Sequence, residues 1–358
     1  MLYSLQDITL IPLSVSSINS RSECIPHYNN GKLPIFVAPM SQILDENNWK
    51  TFNQYVNTII PRNIDIQKRL ELCIHTFCAF SLDEFEEWFI NSIPENSDEL
   101  FKDTHYVLID VANGHMERVL DLCKKAKQIW WKDSLIIMAG NVANPTTYYE
   151  YVKAGIDYIR ISIGSGSQCT TANTGIFYPM ASLLLHTKQC KAHVIDAIEH
   201  NTEYKSVPKI VADGGFNTFG DIIKALALGA DYVMCGKIFA QTVEACGQIY
   251  RKYINEVDLT EEQKPFVKYE LGESYIDVRN YYGMSTKIAQ KEFGKEGNKT
   301  EEGIYSTLLI TGHLDQWITE FTDYLKSAMS YTNHKCLNTF IGGVETEILS
   351  PTAIRTFK

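Results

Sequence analysis

The chain has 358 residues, 45% hydrophobic and 21% charged, with a formal net charge of -10. These values suit a globular protein long enough for two average domains or for one large α/β barrel. The negative balance excludes a broad nucleic-acid surface, which needs clustered Lys and Arg, but not a small phosphate held by backbone N–H groups. Nine cysteines, at positions 24, 73, 78, 123, 169, 190, 235, 246 and 336, form no C-x-x-C pair, which argues against a zinc or thioredoxin-type site. The odd count, and an N-terminus without a charged segment followed by an apolar run, predict reduced thiols and a cytoplasmic protein. No apolar stretch nears the ~20 residues that span a bilayer, so no membrane partner is expected.

Short runs rich in Val, Ile and Tyr recur along the chain. They read as parallel strands at 35–38, 58–60, 74–79, 106–109, 135–139, 158–162, 209–212 and 232–235. Helical patterns lie between them at 116–129, 146–154 (opening after Asn144-Pro145) and 219–228. This alternation predicts a closed (β/α)8 TIM barrel in a single domain spanning 1–358; an open doubly wound sheet is the alternative that periodicity cannot exclude. Past the eighth strand, 252–268 is highly charged and 280–284 is aromatic. The segment 287–302 lacks an apolar period and reads as a mobile flap over the barrel mouth, and 315–329 reads as a packing helix.

Most strands from the fourth onward end in Gly-rich or polar runs, and in a barrel these ends converge on one face. Asp110-Val111-Ala112-Asn113-Gly114-His115 fits a cofactor contact or, equally, an Asx turn into a helix; His115 fits a solvated helix start better than an acid or base. Gly164-Ser165-Gly166-Ser167-Gln168-Cys169-Thr170-Thr171 offers close backbone approach, hydroxyls and N–H groups for an anion. A thiol at the end of such a loop is placed for reactivity, although the same residues also make a surface turn with an incidental cysteine. Asp213-Gly214-Gly215, followed by Gly236-Lys237, falls in the loops where such barrels bind phosphate, and Asp213 can accept from both ribose hydroxyls. Its plainer reading is a tight turn needing positive φ. Glu301-Glu302, taken alone, reads as surface charge.

Together these segments resemble the IMP dehydrogenase and GMP reductase family over most of the chain, from Asp7-Ile8-Thr9-Leu10-Ile11-Pro12 onward. The densest match runs from Asp110 to Gly236 and over Tyr281-Tyr282-Gly283-Met284-Ser285. The resemblance implies that Cys169 attacks purine C2. It implies that Ser167, Gly215, Gly236 and Tyr281 surround the 5′-phosphate, with Gly214 and Gly283 among the substrate contacts, and that Asp213 binds the ribose; Lys237 stands where it could pair with the phosphate or change the ligand accepted. Met284 and Ser285 would meet the base. It also implies a nicotinamide held by Asp110, Ala112, Asn113 and Gly114, and a homotetramer. A monovalent cation such as K+ would sit on the carbonyls of Gly164, Gly166 and Cys169.

The chain looks like the reductase branch. It has no room for the regulatory insertion of about 120 residues that dehydrogenases usually carry after the second strand, and 285–302 contains no Arg-Tyr pair to activate water. The implied reaction is NADPH-dependent reductive deamination of GMP, with Cys169, Thr171 and Glu302 as catalytic residues. IMP dehydrogenase activity is the nearest alternative, and a divergent barrel that binds or modifies another purine nucleotide is a third. The departures are Met40 followed by Ser41-Gln42, the strand end Ile60-Pro61-Arg62, and Lys237 where the family has a small residue.

Overall fold

The computed structural model describes residues 1–93, 100–131, 133–166, 171–200, 204–255, 259–270, 273–283, 286–287 and 303–356. Its centre is an eight-stranded parallel sheet. The strands are β1 (Ile35–Val37), β2 (Ile59–Ile60), β3 (Phe77–Phe80), β4 (His105–Asp110), β5 (Leu135–Val142), β6 (Tyr158–Ile161), β7 (Lys209–Asp213) and β8 (Tyr232–Cys235). Each pairs in parallel with the next from β2 to β8, and β8 pairs with β1. The gap between β1 and β2 is bridged at Asn57, whose N–H donates to the Ile35 carbonyl at 2.9 Å and whose carbonyl accepts from Val37 N–H at 2.8 Å. The sheet thus closes into a (β/α)8 barrel, with helices such as Glu117–Ile129, Thr147–Lys153, Met180–Glu199 and Phe219–Ala227 outside it.

Strand side chains alternate between two apolar compartments, as the period of two requires. Ile35 and Val37 pack outward into the main core, and Phe36 points into the barrel. There Phe36 meets Phe77, Tyr158 and Tyr232 with ring centroids 5.6, 6.0 and 5.0 Å away. Phe77, Tyr158 and Tyr232 each open their strand, so this aromatic layer plugs the N-terminal end of the barrel. A cleft is left to the C-terminal end.

All eight expected strands are present, two of them with a boundary shifted by more than one residue. The third begins at Phe77, not 74, because His75 and Thr76 N–H still bond the Leu72 carbonyl at 2.9 and 3.1 Å and finish the helix Ile66–Leu72. The fifth runs past Gly140 to Val142, with a register shift against β6 between Ala139 and Val142. Bulges of this kind re-aim side chains, and here the residue re-aimed is Asn141. The long helix Met180–Glu199 was not legible: Met180–Leu184 is buried all round, which erases the 3.6 period.

The charged region after the barrel holds a second sheet. β9 (Ile249–Tyr253) pairs antiparallel with β11 (Glu273–Tyr282), and β10 (Lys268–Glu270) and β12 (Tyr305–Leu309) pair with the other edge of β11. Most of the expected flap, 288–302, lies outside the described residues. The N-terminal strand Ile8–Leu10 pairs with Thr346–Ile348, and the helix Leu314–Tyr331 covers the predicted 315–329. No helix among the described residues is long and apolar enough to cross a membrane.

One buried charge fastens the second sheet to the barrel. Arg279, 1% exposed, donates to the carbonyls of Ala240, Thr242, Ala245 and Gly247 at 2.5, 2.7, 2.8 and 2.6 Å. Burial lowers its pKa, but no lysine could supply the same planar fork. Arg279→Lys is therefore expected to leave buried carbonyls unpaired and to cost about 2–3 kcal/mol. Urea unfolding checks this, and an unchanged midpoint would show that the carbonyls are satisfied some other way.

Candidate active site

The C-terminal ends of the barrel strands enclose a cleft of about 930 Å³, open mouth included. Its walls come from Ala38–Met40 after β1, Asp110, Arg160, Gly166, the run Asp213–Asn217, the run Met234–Lys237, and Tyr281 with Gly283 from β11. Nine residues singled out from the sequence therefore meet at one place: Asp110, Gly166, Asp213, Gly214, Gly215, Gly236, Lys237, Tyr281 and Gly283.

The glycines are dictated by close approach. Gly214 and Gly215 sit at φ of 79° and 83°. A Cβ on Gly215 would lie 2.9 Å from the Ser165 carbonyl oxygen, and one on Gly214 would lie 3.1 Å from Gly166 Cα. The turn after β7 thus stacks directly on the loop after β6. At Gly236 a Cβ would meet the Tyr281 hydroxyl at 2.5 Å, so β11 delivers that hydroxyl to the end of β8. Lys237 lies next to it and has no ion-pair partner among the described residues.

The electrostatic centre is a residue outside the sequence motifs above. Arg160 is 7% exposed and donates to Asp110 Oδ1 at 2.7 Å and to Asp213 Oδ2 at 2.8 Å. Burial opposes its charge, but Asp213 and then Asp110 outweigh that and push its pKa up. The re-aimed Asn141 donates to the same Asp213 oxygen at 2.7 Å. Asp213 Oδ1 and Asp110 Oδ2 have no partner among the described residues, so the cleft wall carries two fixed acceptors. Such acceptors suit hydroxyl or amide donors. A charged residue inside the apolar run Tyr158-Ile159-Arg160-Ile161 was the available signal, since a buried Arg demands carboxylates nearby.

Other expected contacts fall elsewhere. Gly114 is buried away from the cleft; its N–H donates to the Asn141 carbonyl and its carbonyl accepts from Tyr151 Oη, both at 2.8 Å. Both backbone groups thus have partners within the fold. Ala112 and Asn113 are exposed, and Asn113 Oδ1 accepts from His115 N–H at 3.0 Å, which is the Asx turn. Gly164 packs on Ala172, and Thr171 opens the turn Thr171–Thr174. Ser167, Cys169, Met284, Ser285 and Glu302 lie outside the described residues. No group of three or more His, Cys, Asp or Glu that could hold a metal occurs among the described residues.

His115 is a structural residue. Its Nε2 accepts from Ala143 N–H at 3.0 Å, which requires the neutral ring. Burial lowers its pKa, and burial likewise lowers those of His27, His105 and His334. Unfolded histidine titrates near ~6.5. The stability these rings contribute is therefore complete above that pH and lost as pH falls below it. Urea midpoints should be lower at pH 5.5 than at pH 7.5, and a flat profile would contradict the neutral-ring assignment.

The chain is similar in sequence to known proteins of one family. Residues 94–355 match the sequence model of the IMP dehydrogenase / GMP reductase domain. A protein named GMP reductase from Streptococcus equi subsp. equi (strain 4047) is 28% identical over 347 residues, 94% of this chain and 91% of that protein. GMP reductase from Oceanobacillus iheyensis is 29% identical over 94% of this chain and 92% of its own length. GMP reductase from Buchnera aphidicola subsp. Schizaphis graminum is 31% identical over 78% of this chain and 68% of its own length. The chain belongs to the IMP dehydrogenase / GMP reductase family.

Proposed function

We propose that the chain is a GMP reductase that converts GMP to IMP and ammonia with NADPH. The observation that carries this is the cleft built on Asp110, Arg160 and Asp213, in a chain whose relatives named GMP reductase match it nearly end to end. The short connection from β2 to β3 supports the reductase branch: Ile60 and Phe77 are joined through one helix, Ile66–Leu72, with no inserted domain.

In this reading Asp213 Oδ1 accepts from the ribose hydroxyls, and the turn Gly214-Gly215 with Gly236, Lys237 and Tyr281 faces the 5′-phosphate. Met284 and Ser285 meet the base. The Cys169 thiolate adds to C2 of the purine, forming a C2–S bond. The C2–N bond then breaks, and the amino group leaves as ammonia after taking a proton delivered through Thr171 and Glu302. NADPH, when bound, supplies the hydride that C2 takes up. The C2–S bond breaks, the electron pair returns to sulfur, and IMP leaves. General-acid help of this kind is worth about 10²- to 10⁴-fold.

Asp110, whose Oδ2 has no partner among the described residues, and the exposed Ala112 and Asn113 that follow it in sequence would hold the nicotinamide, next to Gly114. The carbonyls of Gly164, Gly166 and Cys169 would hold a monovalent cation such as K+. The test is direct. NADPH should be consumed on mixing with GMP, with ammonia and IMP formed in equal amounts. No turnover with either reduced nicotinamide would sink the proposal, and NAD reduction by IMP to give XMP would reassign the chain to the dehydrogenase branch.

A further inference from the structure

At the N-terminal rim of the barrel, remote from the cleft, lies a second cavity of about 850 Å³ with its mouth. No residue lines both cavities. Three lysines line this one: Lys188 and Lys191 from the helix Met180–Glu199, and Lys209, the first residue of β7. A single carboxylate, Asp231, answers them. It is buried, takes the Lys191 ammonium at 2.7 and 2.6 Å and the Ile210 N–H at 2.7 Å, and has Lys209 at 3.6 Å.

Lys188 meets no carboxylate among the described residues. Its ammonium donates to the Gly342 carbonyl. Its stem runs between two glycine backbones: a Cβ on Gly229 would come within 3.0 Å of it, and one on Gly342 within 3.1 Å. A lysine held this way has already lost most of its rotamer freedom, so the cost of ordering it around a ligand is small. The cavity therefore carries three fixed or half-fixed ammonium groups against one carboxylate. Tyr28, Ile195 and Ile341 give it an apolar side.

We propose that this cavity is an anion site that binds a phosphate group, either free or as a small monoester. A phosphate dianion matches the two uncompensated positive charges and offers acceptors to the lysine donors. The apolar side fits the carbon portion of a monoester. The site is separate from the catalytic cleft and does not depend on the reaction proposed there.

Two variants of the full chain test it. Lys188→Met keeps the stem between the glycines and removes the charge. Ile195→Glu adds a negative charge at an exposed wall position and leaves the core untouched. Equilibrium dialysis with inorganic phosphate, and separately with ribose 5-phosphate, is run on the wild type and on both variants. The expected result is a binding component weakened at least about ten-fold by each variant, with the cleft's nucleotide turnover unchanged. Tighter binding of ribose 5-phosphate would identify a monoester as the ligand, and equal or tighter binding of inorganic phosphate would identify the free ion. Isotherms for both probes that neither variant alters would overturn the proposal.

Discussion

Cys169→Ala is expected to reduce GMP turnover by at least about 10⁴-fold while leaving nucleotide binding largely intact. The size follows from the proposed role: without sulfur no covalent bond to C2 forms, and loss of a nucleophile typically removes most of the rate enhancement. Binding persists because the ribose and phosphate contacts proposed for Asp213, Gly215 and Tyr281 do not involve the thiol. Among the described residues the cleft holds one cysteine, Cys235, and it cannot substitute. It is 2% exposed and burial pushes its thiol pKa up, so no thiolate is on hand. Single-turnover kinetics and a separate measurement of nucleotide affinity divide the two effects. Turnover within ten-fold of wild type would remove Cys169 from the mechanism, and a parallel loss of affinity in a folded variant would make its role one of shape.

How far the sequence could be read depends on what each residue answers to. The barrel was legible because its strands are buried on both faces and stand as apolar runs, and because polar turns follow them at regular spacing. The Gly214-Gly215 turn was legible because left-handed backbone and close approach leave glycine almost no alternatives. The second sheet was not. Its central strand, Glu273–Tyr282, places Arg279 at an inward position, and that charge breaks the alternation that would have marked it. Arg279 is tolerated there because four carbonyls of another loop converge on it, and that is tertiary information. Gly114 answers to packing, which the sequence does not show. The Tyr151 hydroxyl and the Asn141 carbonyl occupy the space a side chain there would need. Asn141 itself depended on a register shift in β5, which no periodicity reveals.

Arg160 gives the second large effect, on stability and on binding together. Arg160→Met preserves much of the side chain's volume but leaves Asp110 and Asp213 side by side in the wall with no cation between them. Their side chains are 14% and 16% exposed, so water screens them little. Removing one partner of such a buried network costs about 3–5 kcal/mol, because charge remains without compensation. The sign of the pH dependence follows. Unpaired buried carboxylates have raised pKa values, so the penalty is full at neutral pH and shrinks as pH falls through those values toward the unfolded ~3.9. The gap in urea midpoint between variant and wild type should therefore be wide at pH 7.5 and narrower at pH 5. A triple variant adding Asp110→Asn and Asp213→Asn should regain much of the stability but not the affinity for GMP, since a neutral amide with one acceptor oxygen replaces the ribose-binding carboxylate. If Arg160→Met were as stable as wild type at pH 7.5, the guanidinium would not be the link between the two carboxylates. If the triple variant bound GMP as tightly as wild type, Asp213 would not be the ribose ligand. In the wild type one guanidinium holds both acceptors, so the proposed ribose contact and the proposed nicotinamide contact are set by the same buried group. A shift of Arg160 would then move the two ligands relative to each other, which is the geometry a hydride transfer depends on.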